Sequence, residues 1–158
     1  MAVEEGVRLA TRADLPRLVE LAAAAIAELR QGRGGEVWAR HSARQEPLEA
    51  GLAAELDHAD HLLLVGTVDD AVLGYAAARV ETLADGSRLG VVSDLYTEPG
   101  AREVGVGEAM MAAAVQWCTD AGCFGVDSLA LPGDRHTKNF FESFGLVARA
   151  IVVHRPLP

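Results

Sequence analysis

Apolar positions along this chain follow two rhythms in turn. Val7-Arg8-Leu9-Ala10 has strand character, and Thr11-Arg12-Ala13-Asp14 follows as a Ser/Thr-x-x-Asp/Glu helix start close to Pro16. Leu15, Leu18, Val19, Ala22, Ile26 and Leu29 then mark one face of a helix reaching about Arg30, where the stretch from Gln31 to Gly35 breaks it. Glu36 to Gln45 mixes Trp38, Arg40 and His41 with small and charged residues and shows no clear period. Leu48, Leu52 and Leu56, spaced by four, predict a second helix over 47–56. From there the period shortens. His61-Leu62-Leu63-Leu64-Val65 is an apolar run of strand length, Val68-Asp69-Asp70-Ala71 turns it back into 72–80, and Asp85-Gly86-Ser87 turns again into a strand that holds Asp94 and Tyr96.

The helical rhythm then returns. Glu98-Pro99-Gly100 ends the third strand, and beyond a glycine-bearing loop Met110, Met111, Ala114, Val115 and Cys118 recur at helical spacing as far as Gly122. Residues 125–131 predict another strand, 135–143 a short helix closed by Gly145, and 146–154, Leu146 to His154, a last strand. Residues 1–158 are therefore expected to form one α/β (α+β) domain. Its sheet is mixed and mostly antiparallel, because the meander is antiparallel while the strand–helix–strand unit crosses over to a parallel neighbour.

Composition narrows the function classes. A formal charge of -9, with 14 Lys and Arg scattered along the chain, argues against a nucleic-acid surface and suits cationic small partners better. No stretch approaches the ~20 apolar residues of a spanning helix, so no membrane partner is expected. The acidic start MAVEEGVRL is unlike a secretory signal, which implies a cytoplasmic location. Cys118 and Cys123 are too few, and too far from any His cluster, for a zinc site or disulfide framework. Both read as small buried apolar groups, and no metal is expected.

The chemistry concentrates between Val91 and Val115. A strand followed by Arg102-Glu103-Val104-Gly105-Val106-Gly107 and then a helix places unpaired first-turn amides beside a strand end, a ready site for phosphate or pyrophosphate. Two loop chemistries fail. The nucleotide P-loop needs a Gly-Lys-Ser/Thr ending that is absent, and the dinucleotide loop needs a third glycine where Met110 stands.

A third fits. The loop resembles the Gln/Arg-x-x-Gly-x-Gly/Ala segment of the GNAT superfamily of acyl-CoA-dependent N-acyltransferases. Ser93-Asp94-Leu95-Tyr96-Thr97-Glu98-Pro99 is similar to the strand that precedes it there, and Asn139-Phe140-Phe141-Glu142-Ser143-Phe144-Gly145-Leu146 to a later helix. Thr11 to Leu15 and Asp70 to Tyr75 are also family-like, so the resemblance covers nearly the whole chain.

The resemblance implies a GNAT-like fold that moves an acetyl or other short acyl group from acetyl-CoA to a primary amine of a small molecule or peptide, with a homodimer compatible. It implies that Arg102, Glu103, Val104, Gly105, Val106, Gly107 and Glu108 hold the pyrophosphate, and that the main chain of Leu95 and Thr97 pairs with the pantetheine arm, the Leu95 N–H facing the thioester. Asp94 is either the general base or a carboxylate that positions an ammonium or an amide, with Glu81 and Glu98 as solvated alternatives. Asp134 stands where the family often has an Asn beside the pantetheine arm, and Phe141 where many members carry a Tyr that protonates the leaving thiolate. Tyr96 or water would then supply that proton, or the thiolate leaves unassisted. Trp38, Arg40 and His41 fall in the segment that walls the acceptor site in the family. His136 and His154 read as surface histidines and Trp117 as core. The same fold emptied of its acid would be an acyl-CoA-binding module without catalysis.

Overall fold

The computed structural model describes residues 2–158; Met1, the first residue of the acidic N-terminus, lies outside the described residues. The chain runs β1 (Glu5–Leu9), α1 (Leu15–Arg30), α2 (Gly35–His41), α3 (Leu48–Leu56), β2 (His61–Val68), β3 (Ala71–Thr82), β4 (Arg88–Thr97), α4 (Val106–Asp120), β5 (Gly125–Ser128) and α5 (Arg135–Ser143). The five strands form one sheet in sequence order. Only β4 and β5 are parallel, as a crossover through α4 requires.

Local chemistry accounts for most boundaries. A short 3-10 turn at Arg12–Asp14 leads into α1, where the Thr11 amide donates to the Asp14 carboxylate at 2.8 Å in a capping box. Arg8 grips the same carboxylate with two hydrogen bonds, at 2.8 and 3.0 Å, and holds the Asp14 acid at about 2. Asp69 and Asp70 both adopt positive φ between β2 and β3, a conformation that aspartate tolerates in a tight hairpin. The mixed segment contains α2, a helix of seven residues that sequence periodicity is too short to reveal.

Each sheet face carries its own core. On one, Leu18, Leu21 and Ala22 of α1 and Leu52 of α3 cover Leu63, Val65, Tyr75 and Ala77. On the other, Met110, Met111 and Ala114 of α4 and Phe141 of α5 cover Leu62, Leu64, Ala76, Ala78 and Val92. Gly66 and Gly74, paired across β2 and β3, seat the start of α4. A Cβ on Gly66 would lie 2.7 Å from Val106, and one on Gly74 3.0 Å from Met110. A side chain at Gly66 would press on Val106 and Met110 of α4, and one at Gly74 on the Tyr96 carbonyl as well as Met110.

Two expectations need correction. The last strand, Leu146–His154, is not formed: residues 146–158 carry no helix or strand, and Ile151, Val152 and Val153 are at least 85% exposed. Its aliphatic pattern suits a strand, but a strand is stable only beside a partner, and β5 stops at Ser128 rather than Leu131. The tail meets β5 through a side-chain pair, Arg149 to Asp127, instead of a ladder. Of the two cysteines, Cys118 is buried and burial pushes its thiol up to about 11, whereas Cys123 is only half-buried.

Candidate functional site

The sheet opens at the middle of β4. Its parallel ladder with β5 ends at Val92 opposite Ser128, while its antiparallel ladder with β3 continues to Thr97 opposite Gly74. Ser93 is the extra residue of a bulge between the pairs Ala78–Val92 and Ala77–Asp94. The Glu98 amide donates to Leu73 on β3 at 2.9 Å, so by alternation the main-chain groups of Leu95 and Thr97 point away from β3 into the opened edge. That edge offers an extended ligand the main-chain groups of Leu95 and the Thr97 amide, while the Thr97 carbonyl already accepts from Arg102.

The start of α4 closes the end of this opening. Gly105 caps the helix with φ 88, a left-handed conformation that a side chain would strain, and the first helical bond is Ala109 N–H to Gly105 C=O at 3.1 Å. The amides of Val106, Gly107 and Glu108 therefore precede the helical ladder and carry its positive end. A Cβ on Gly107 would come within 3.7 Å of the Thr97 hydroxyl, which shows how closely the loop abuts the strand. Val106 is fully buried and anchors the turn. Glu103 is exposed and Val104 half-buried beside it. Sequence gave no sign that the Glu5 carboxylate of β1 lies against this loop, 2.5 Å from where a Cβ on Gly105 would sit.

Arg102 is heavily engaged. Its Nε donates to the Thr97 carbonyl at 2.9 Å, and its two terminal nitrogens donate to both oxygens of Glu28 on α1, at 2.8 and 2.6 Å. The guanidinium also stacks over the Tyr96 ring, 5.4 Å from its centroid.

Asp94 sits in a cage on the α1–α3 face. Arg44, from the loop between α2 and α3, donates to it at 2.7 and 3.2 Å, the Tyr75 hydroxyl at 2.7 Å and the Ser93 hydroxyl at 2.6 Å. Arg44 also grips Glu55 of α3 with bonds of 3.0 and 2.8 Å, and His61 stands 3.7 Å from the same carboxylate. The Arg44, Asp94 and Glu55 side chains are 13%, 13% and 20% exposed. Burial by itself lowers the Arg44 pKa, but the two carboxylates outweigh it and hold the guanidinium above the ordinary arginine range. Burial, then the Asp94 charge, pushes Tyr75 well up, so its hydroxyl remains a donor. Asp94 thus has its lone pairs largely occupied, in a group that sets two carboxylates against one guanidinium.

The other residues singled out from sequence are dispersed. Trp38 is half-buried on α2, Arg40 is exposed near Glu36, and His41 is exposed and bonded only to Ser42, at 2.8 Å. Among the described residues none of the three forms a hydrogen bond or ion pair with Asp94, Arg44, Tyr75 or Glu55. Asp134 caps α5 by accepting from the Thr137 amide and hydroxyl at 3.0 and 2.7 Å, and with Glu28, Arg33 and Leu131 it lines a cavity of about 430 Å³. Phe141 lies in the α4-side core, edge-on to Phe140, with no hydroxyl to offer the opening. His136 and His154 are exposed, and Trp117 packs against the core.

Likeness to known proteins agrees with this fold. The aminoglycoside acetyltransferase AAC(6')-Iy, solved with a bisubstrate analogue of CoA and monomethyl-acetylneamine, superposes with a TM-score of 0.76 at 18% identity, covering 98% of this chain and 99% of that one. Glucosamine-6-phosphate N-acetyltransferase from Arabidopsis thaliana gives 0.70 at 14% identity over 98% and 99%. A transcriptional regulator from Bacillus halodurans C-125 gives 0.72 at 18% identity over 98% and 100%, so the fold is shared more widely than any one activity. No curated protein matches the chain by sequence. Residues 20–146, spanning β2, β3, the opened β4 edge and the α4 loop, match the Acetyltransferase (GNAT) family, and the chain belongs to that family.

Proposed function

We propose that the protein transfers an acetyl group from acetyl-CoA directly to a primary amine of a small molecule or peptide. The observation that carries this reading is the opened β4 edge meeting the first-turn amides of Val106, Gly107 and Glu108, which precede the helical ladder. A pyrophosphate fits those amides, and an amide-bearing arm such as pantetheine fits the edge at Leu95 and Thr97. AAC(6')-Iy, with the same fold, has been solved in complex with CoA, which supports the assignment.

In this reading the acceptor ammonium first loses a proton to water, and the Leu95 N–H stabilises the oxyanion as the free amine attacks the thioester carbon. The C–S bond breaks, the new amide nitrogen releases its remaining extra proton to water, and the thiolate takes a proton. Phe141 cannot give that proton. Tyr96, beside the opening, or water gives it. Asp94, already accepting four hydrogen bonds, acts by holding the acceptor's ammonium near the thioester, and the excess negative charge of its cage draws such a cation. The acceptor is a small amine like those of the structural relatives, and the location is cytoplasmic.

The buried phenyl ring of Phe141 favours one other reading, an acyl-CoA-binding module without turnover. A thiol-release assay with acetyl-CoA across polyamines, aminoglycosides, amino acids and peptide N-termini separates the two. Release on any class supports the transferase, and tight acetyl-CoA binding with no release on all of them supports the module.

A further inference from the structure

Arg102 and Glu28 stand 74 residues apart in sequence, yet their fork ties the cofactor loop to α1. The guanidinium spends its Nε on Thr97, at the edge where the pantetheine arm would pair, and both terminal nitrogens on one carboxylate. Those nitrogens cannot keep a bidentate carboxylate and also form a bidentate pair with a phosphate. Glu28 in turn faces the cavity of about 430 Å³ shared with Arg33, Leu131 and Asp134.

We propose that Glu28 is the resident counter-anion of Arg102, that the cofactor's pyrophosphate displaces it, and that the freed carboxylate becomes a binding group for a second ammonium of the acceptor, beyond the one held at Asp94. The inference rests on the acetyl-CoA reading above. One guanidinium then serves two ligands in sequence: Glu28 weakens cofactor binding by competition and strengthens acceptor binding once the cofactor is in place. Coupling of this kind is reciprocal, so each ligand raises the affinity for the other.

The test is a cycle of acetyl-CoA dissociation constants for wild type, Glu28→Gln, Arg102→Met and the double variant, each checked for an unchanged melting temperature without ligand. An exposed bidentate pair of this kind implies that Glu28→Gln tightens acetyl-CoA about two- to fivefold. In the Arg102→Met background the same change leaves the constant unaltered. Weaker or unchanged binding in Glu28→Gln, or an equal effect in both backgrounds, overturns the exchange. Steady-state kinetics on the amine found by thiol release give the second readout. Glu28→Gln raises KM for the amine while lowering it for acetyl-CoA, whereas a merely structural role moves both in the same direction. Absence of acetyl-CoA binding by the wild type would refute the functional reading itself, a result distinct from normal binding that Glu28→Gln fails to alter.

Discussion

Replacing Arg44 by Met removes one guanidinium and leaves Asp94 and Glu55, 13% and 20% exposed, without the cation that joins them. Methionine fills much of the volume, so the loss is electrostatic rather than a cavity. Breaking a buried ion pair from one side costs about 3–5 kcal/mol, because the remaining charge stays desolvated. Four hydrogen bonds from Arg44 are lost here, but water reaches Glu55, which sets the expectation near the lower end, about 3 kcal/mol. For a chain of this size that lowers the melting temperature by roughly 6–12 °C. Urea unfolding followed by far-UV circular dichroism measures the loss. The triple variant Arg44→Met, Glu55→Gln, Asp94→Asn, in which no charge remains, recovers at least half of it. A single-variant loss below about 1 kcal/mol, the size of an exposed pair, would refute the view that this cluster is a buried unit. So would a triple variant as unstable as the single one.

Three further outcomes follow from the geometry. Asp14 is held at about 2 against an ordinary value of 3.8, so its ionised form stabilises the fold above pH 4 by about 2 kcal/mol, and this is lost as the pH falls toward 2. The stability difference between wild type and Asp14→Asn should shrink over that window in urea titrations, and a difference independent of pH would show that the Arg8 pair is not its source. Acetyl-CoA should raise the melting temperature of the wild type. Gly105→Glu abolishes most of that rise, because it strains a φ of 88, meets the Glu5 carboxylate and adds a charge at the α4 amides; an undiminished rise would move the cofactor site elsewhere. Asp94→Asn lowers kcat at least tenfold with acetyl-CoA affinity within about twofold of wild type, and full activity with an unaltered pH profile would remove Asp94 from the chemistry.

What could be read in the sequence was local. The loop from Arg102 to Gly107, the turn at Asp69-Asp70 and the apolar stripe of α1 depend on neighbours within a few residues, so periodicity and turn chemistry carry them. The tail shows the limit of such signals. Leu146 to Val153 has strand propensity, but propensity reports fitness for a pleated surface and cannot supply the neighbour that completes it. The electrostatics of the site were not legible for a related reason. Arg44 meets Asp94 across 50 residues and Glu28 meets Arg102 across 74; Asp94 and Arg102 stand out by resemblance, but their partners Arg44 and Glu28 are ordinary charges among 37.

The distinction bears on how the acceptor side is built. Trp38, Arg40 and His41 drew notice because they are large or titratable in a stretch without period, yet Arg44, at the end of that stretch, makes the contacts. Its anchoring role follows from where the bulge at Ser93 turns Asp94. On the same face stand Tyr75, held by the sheet, and Glu55, held by α3, so a single cation from the intervening loop can join three elements at once. A shorter Lys at position 44 offers a point charge in place of a fork and could not satisfy both carboxylates in this geometry. The loop between α2 and α3 is therefore fixed to β4 by charge at the place where the β4–β5 ladder ends.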